Sequence, residues 1–286
     1  MDFSFLDMMT PLIIQAKTAM TTTSLIAWRL GVVIASIGVI FGISMRIAGG
    51  GGGIIPAIVG WLITTGLVLG AVSYWPAIMQ ESFNTASEVS GMIGGSGIQV
   101  MDVIERGANL ASRVVDAAAA QASLTDMGSW LTGTHMLGHA AWIWLMHFIA
   151  SFAVAGAILE FWLVGAVLPL LLPFTMVMGM QGIGFAALIW TAGMTLRLVL
   201  IAMILAAATE MLVGYTIPGP NEEHFLIQYL ASDAAAAFAA FLVWQTSVWG
   251  RGVIQAASGA TSIFGLAGQA ISGARAMGRG STTDRT

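Results

Sequence analysis

Apolar and polar positions divide this chain into long apolar runs and one stretch with ordinary helical amphipathicity. The runs 25–45, "LIAWRLGVVIASIGVIFGISM", and 54–75 each approach the 20 or so apolar residues that a helix needs to cross a hydrocarbon core about 30 Å thick. Arg46 and the glycines Gly49 to Gly53 separate them, and consecutive glycines interrupt a helix through their ordering entropy. Residues 1–24 predict a short amphipathic lead-in, with Thr10 as N-cap and Pro11 at the first helical position.

After Trp75 the pattern changes. Residues 76–138 predict two amphipathic helices outside the bilayer, joined through "GMIGGSG" as a helical hairpin. The first carries Met79, Phe83, Ala86, Val89 and Ile93 on one stripe. The second repeats Ile98, Met101, Ile104, Ala108, Ala111, Val115, Ala118 and Ala122 at steps of three and four. Residues 139–180 are apolar but broken by Pro169 and Pro173, which predicts either one long kinked helix or two crossings. Residues 182–214 and 225–250 predict two further crossings, joined by the acidic turn "YTIPGPNEEH" and followed by a Gly/Ala/Ser-rich tail, 251–286.

Composition agrees with that pattern. Of 286 residues 57% are hydrophobic and 8% charged, with mean hydropathy +0.87, whereas soluble domains carry about 25% charged residues. The fold class is therefore all-α: a polytopic helical membrane protein with an amphipathic external region. There are no cysteines, which excludes disulfides and thiol chemistry. The start lacks the basic n-region of a cleavable signal, so the first apolar run is expected to remain in the mature protein.

Orientation follows the basic residues. The tail 251–286 has four arginines against Asp284, and is expected to be cytoplasmic. Region 76–138 has Arg106 and Arg113 against Glu81, Glu88, Asp102, Glu105, Asp116 and Asp126, and is expected to be external together with the N-terminus. These placements agree with five crossings; six, with an internal N-terminus, is the alternative. The segments are then 1–24, the N-terminal lead-in; 25–75, two crossings; 76–138, the external region; 139–250, the C-terminal bundle; and the tail.

No catalytic constellation appears, and no cofactor or metal site is expected. His135, His139 and His147 recur at four and eight residues, but without carboxylates at ligand spacing they read as interfacial packing rather than a metal site. Trp130, Trp142, Trp144, Trp244 and Trp249 read as interface anchors. "GVIFG" (Gly38, Gly42) and "GLVLG" (Gly66, Gly70) match the small-xxx-small pattern of close helix packing. The sharper signals are charges inside apolar runs: Arg197, Asp233 and Glu160. Such groups normally face protein or water. Arg197 lies between the other two in depth, within reach of either, so an interhelical ion pair is the first reading and a pore-lining role the second. Arg197→Ala is expected to abolish function or assembly.

The order of parts, with the texture "WPAIMQESFNTASEVSGMIGG" around Trp75 to Phe83, resembles the TrbL family over roughly 25–250. This family of polytopic inner-membrane components of type IV secretion and conjugation machines includes the sixth VirB protein. The resemblance implies a non-enzymatic subunit in the bacterial inner membrane, in a homo-oligomeric ring (a pentamer, by family resemblance) at the base of the stalk or pilus. Its implied partners are membrane lipid, the minor pilin, bitopic scaffold subunits, and translocated DNA or protein in transient contact. The external stripe from Met79 to Val115 would be its assembly surface. With two arginines against six acids, a net of −4, that region suits protein contact better than the phosphate neutralisation that drives DNA binding. A secondary transporter or ion channel built on Arg197, Asp233 and Glu160 is the runner-up.

Overall fold

In a computed structural model of the chain, residues 5–48, 54–94, 100–121, 127–177, 180–213, 230–250 and 252 are described. Among the described residues there is no strand. The helices are α1 (Phe5–Ala48), α2 (Ile54–Ser73), α3 (Trp75–Gly94), α4 (Val100–Gln121), α5 (Met127–Gly165), a 3-10 helix (Leu168–Met176), α6 (Gln181–Val213) and α7 (230–250). The all-helical class is therefore seen directly.

Among the described residues three helices are long and apolar enough to cross a membrane: Met9–Ser44, Trp130–Gly165 and Gln181–Ala208. The bent pair Ile58–Ser73 and Trp75–Val89 makes four if counted as one span. Helix α7 is outside that set, and residues 225–229 of the expected last crossing lie outside the described residues.

Several element boundaries differ from expectation. Helix α1 runs for 44 residues, with Pro11 inside it and Thr10 in the helix rather than capping it. One proline removes one backbone hydrogen bond, too little to split so long a helix. Helix α5 starts at Met127 and crosses the expected boundary at 138 without a break. The prolines act further on: α5 ends at Gly165, and Pro169 and Pro173 lie in a nine-residue 3-10 helix whose Leu168, Pro169, Leu172, Pro173 and Thr175 are buried. Runs of this geometry beyond three or four residues are uncommon. Within 139–177, α5 thus continues unbroken to Gly165 and a tight apolar break follows. Gly49 to Gly53, Ile98, Ala122, the turn at 215–224 and nearly all of the tail lie outside the described residues, as do the side chains of Ile93 and Met101.

The chain divides into two compact units. The first comprises Met1–Thr18, Ala77–Gly165 and Met194–Gly250. Its principal packing is α4 laid antiparallel along α5, so the partner helix of α4 is α5 rather than α3. Ala111, Val114 and Ala118 share a core cluster with Met136, Ala140 and Ile143; further along, Val103 meets Ala150. At the closest approach a Cβ on Gly107 would lie 2.3 Å from the Cβ of His147.

That contact rotates α4 by about one position from the expected stripe. The buried face runs Val103, Gly107, Ala111, Val114 and Ala118. Val114 is 2% exposed while Val115, placed on the stripe by its period, is 39% exposed. Ala111 is buried as expected, and Ile104 and Ala108 are half-buried at its edge. A glycine contributes nothing to a hydrophobic pattern, yet here it decides the register.

The second unit comprises Ala19–Pro76, Ala166–Gly193 and Arg251–Thr286. There the 3-10 helix packs on α2. The hydroxyl of Thr23 donates to the carbonyl of Ala166 (2.5 Å), just past the end of α5, where a helix leaves carbonyls unsatisfied. Of the four glycines in the small-xxx-small patterns, Gly38 takes the indole of Trp61, 2.6 Å from where its Cβ would be. Gly42, Gly66 and Gly70 meet nothing within 4 Å.

Candidate functional site: two polar pairs on α5

Helix α5 carries two polar pairs, one toward each end of its apolar length. Near the C-terminal end, Nη1 of Arg197 on α6 donates to Oε2 of Glu160 at 2.5 Å. Arg197 is held from behind as well: a Cβ on Gly250 of α7 would lie 3.5 Å from its Cβ and Cδ. The side chain of Arg197 is 10% exposed and that of Glu160 46%. The arginine is enclosed and the carboxylate is not.

Near the N-terminal end, Nδ1 of His139 donates to Oδ2 of Asp233 on α7. The indole Nε1 of Trp142 donates to the Asp233 carbonyl at 3.2 Å, and the ring of His135 lies 4.6 Å from that of His139. Here both members are enclosed, at 5% and 16% side-chain exposure.

Arg197 therefore chooses between its two expected partners. Gly250 lies beside the Arg197 stem, and Asp233 is 17 residues earlier on the same helix, about 25 Å away at 1.5 Å per residue. Asp233 is not at the level of Arg197, and its partner is a histidine that spacing alone had grouped with two others. His147 leaves that group: its Nδ1 donates to the Ile143 carbonyl at 2.8 Å, and it lines, with Arg106, a cavity of about 30 Å³ among α4–α7. That volume admits about one water molecule. The described residues hold no group of three His, Cys, Asp or Glu placed to bind a metal ion.

The α3 stripe also finds an intramolecular partner. Met79 and Ala86 are fully buried, and the ring of Phe83 lies 5.5 Å from Trp162 and 6.0 Å from Phe161. Phe83 thus packs on α5, not on the 98–122 helix. Val89 on the same stripe is half-buried. Lys17 of α1 completes this corner, its ammonium 4.3 Å from the Trp162 ring centroid and donating to Gln80 Oε1 at 3.1 Å. Gln80 donates in turn to Asn84 at 2.8 Å. No sequence motif marked the Lys17 contact; an exposed lysine within an apolar helix was the available signal.

A charge at the centre of a bilayer costs about 2.5–3.5 kcal/mol on insertion scales. Pairing and enclosure remove most of that cost for His139 and Asp233, but Glu160 is only half covered. Fold and site together define a helical protein with, among the described residues, three or four helices fit to cross a membrane. Compared with protein-family models, curated proteins and solved structures, the chain matches none.

Proposed function

We propose that this chain is an inner-membrane channel or platform subunit of a type IV secretion machine, assembled as a homo-oligomeric ring. The observation that carries the reading is α5. At 39 residues it is about 58 Å long, nearly twice the thickness of a hydrocarbon core of about 30 Å. Its C-terminal part packs within the helical bundle, with Val154, Ala157, Phe161 and Trp162 buried, while along its N-terminal part α4 covers one face and Trp130, Leu131, Leu137 and Trp144 stay exposed. An element of this kind carries a membrane bundle straight into an external assembly. Five crossings (α1, α2, α5, α6 and a last one that α7 enters, Gly250 standing at the level of Arg197) with an external N-terminus and cytoplasmic C-terminus suit the charge distribution.

One expectation is narrowed. With Glu160 at mid-depth, a core about 30 Å thick covers α5 from about residue 150 onward, at 1.5 Å per residue. Helix α4, which meets α5 between Met136 and Ala150, then projects beyond it. Helix α3, touching Trp162, belongs inside as the second limb of the bent pair. The assembly surface is therefore the outer side of α4 and the first half of α5, including exposed Val115. The tagged chain, extracted in mild detergent, is expected to retain pilus-type and bitopic scaffold subunits. A lone monomer stabilised by a small solute would overturn the reading. That outcome would favour a secondary transporter, to which the broken apolar segment at Pro169 and Pro173 is the feature best suited.

A further inference from the structure

Helix α5 presents one open face from Trp142 to Leu163. Trp142, Leu145, Ile149, Phe152 and Leu163 on it are each more than a third exposed, and Gly156 meets nothing within 4 Å. Steps of three and four join them into a single stripe. Glu160 is on that stripe, one turn beyond Gly156, and is the charged member among these apolar neighbours.

The position of Glu160 in depth comes from its partner. Arg197 lies 16 residues from the start and 11 from the end of the span Gln181–Ala208, roughly 24 and 16 Å from its two ends. The carboxylate bonded to it shares that depth. An apolar stripe alone would face lipid without difficulty. A half-exposed carboxylate at mid-span would not, because hydrocarbon offers nothing to its remaining lone pairs.

We infer that the α5 face through Phe152, Gly156, Glu160 and Leu163 is turned toward water, as the wall of an aqueous passage through the bilayer. The inference rests on the reading above that α5 and α6 cross the membrane in an oligomer. It adds which face lines the passage and which charged group stands on it. Arg197 is the positioning residue: enclosed between Glu160 and the α7 backbone at Gly250, it holds the carboxylate at the rim of the bundle. Because the guanidinium behind the carboxylate cancels its charge, the wall is apolar and nearly neutral. Such a wall neither traps nor repels a charged polymer, so the solute class it suits is an extended chain of either sign in transit.

The absence of cysteine from the chain makes the test direct. Gly156→Cys and Leu163→Cys leave the ion pair intact and place one thiol each on the stripe. Leu196→Cys places one on an exposed residue beside Arg197, at the same depth but on another helix. Each full-length variant, in native membranes, is treated with a charged, membrane-impermeant methanethiosulfonate. Since the thiolate is the reacting form and needs water, Gly156→Cys and Leu163→Cys should react about tenfold or more faster than Leu196→Cys. Equal protection of all three would mean that lipid or a second copy covers the stripe. Equal reactivity of all three would mean that this level is the membrane surface. Either result overturns the inference. Oligomer mass, measured on the same variants, separates the two claims: protected thiols in an intact ring reject the passage wall alone, and a monomer rejects the ring as well.

Discussion

The two polar pairs on α5 use similar chemistry and sit in opposite surroundings. His139 and Asp233 are sealed on both sides, with the Trp142 indole closing the backbone behind them. Arg197 is sealed, but Glu160 is nearly half open. They are also far apart. Glu160 follows His139 by 21 residues on one unbroken helix, about 31 Å, so a single bilayer core cannot hold both at mid-depth. A sealed pair beyond the core is how helices are locked together at modest cost. A pair with one open member in mid-span leaves a carboxylate edge, its charge balanced from behind, in contact with whatever lies outside. The first is closed on both members; the second is open on one.

That contrast can be broken by mutation. Glu160→Gln should have the largest effect, because it strands an enclosed guanidinium; breaking a buried pair in this way costs about 3–5 kcal/mol. A drop in thermal stability in detergent would show it, and an unchanged transition would mean that the pair contributes nothing. His139→Ala comes next. It leaves an enclosed Asp233 carboxylate without its donor, at about 1–3 kcal/mol, and should loosen α7 from α5 as read by protease sensitivity after residue 213. Arg197→Met should cost less than Glu160→Gln, about 1–2 kcal/mol, because the freed carboxylate is the half-exposed member and retains a route to water. If the proposed function is right it should still abolish transfer, because Glu160 loses its support. If Arg197→Met destabilises more than Glu160→Gln, the open member has been misassigned. The smallest effect belongs to Trp142→Phe, which removes one donor to the Asp233 carbonyl, for about 0.5–1.5 kcal/mol; additivity with His139→Ala would show that the two contacts act separately.

Much of the fold was legible because membrane helices announce themselves by long apolar runs, and the runs of α1, α2, α5 and α6 stand out in the sequence. The Arg197–Glu160 pair was legible for a related reason: charges in apolar segments need partners, and depth narrows the choice to two. What could not be read was anything decided by contact across the chain. His139 and Asp233 are 94 positions apart, and spacing tied His139 to other histidines on its own helix instead. The register of α4 turned on Gly107, which carries no hydrophobic signal and yet sits against His147. With valines at both 114 and 115, nothing short of that contact distinguishes the buried one. The stripe on α3 was recognised, but a stripe does not name its partner, and Phe83 chose the aromatic pair on α5.

The central claim is that this chain works as one of several copies around a membrane passage. Native mass spectrometry of the full-length protein, released from mild detergent or a lipid nanodisc, tests it most directly. The account predicts a discrete assembly whose mass is a fixed multiple of 29.8 kDa, and the same multiple in every preparation. A single dominant species of one chain, with no higher assembly at any detergent concentration that preserves the fold, would contradict it.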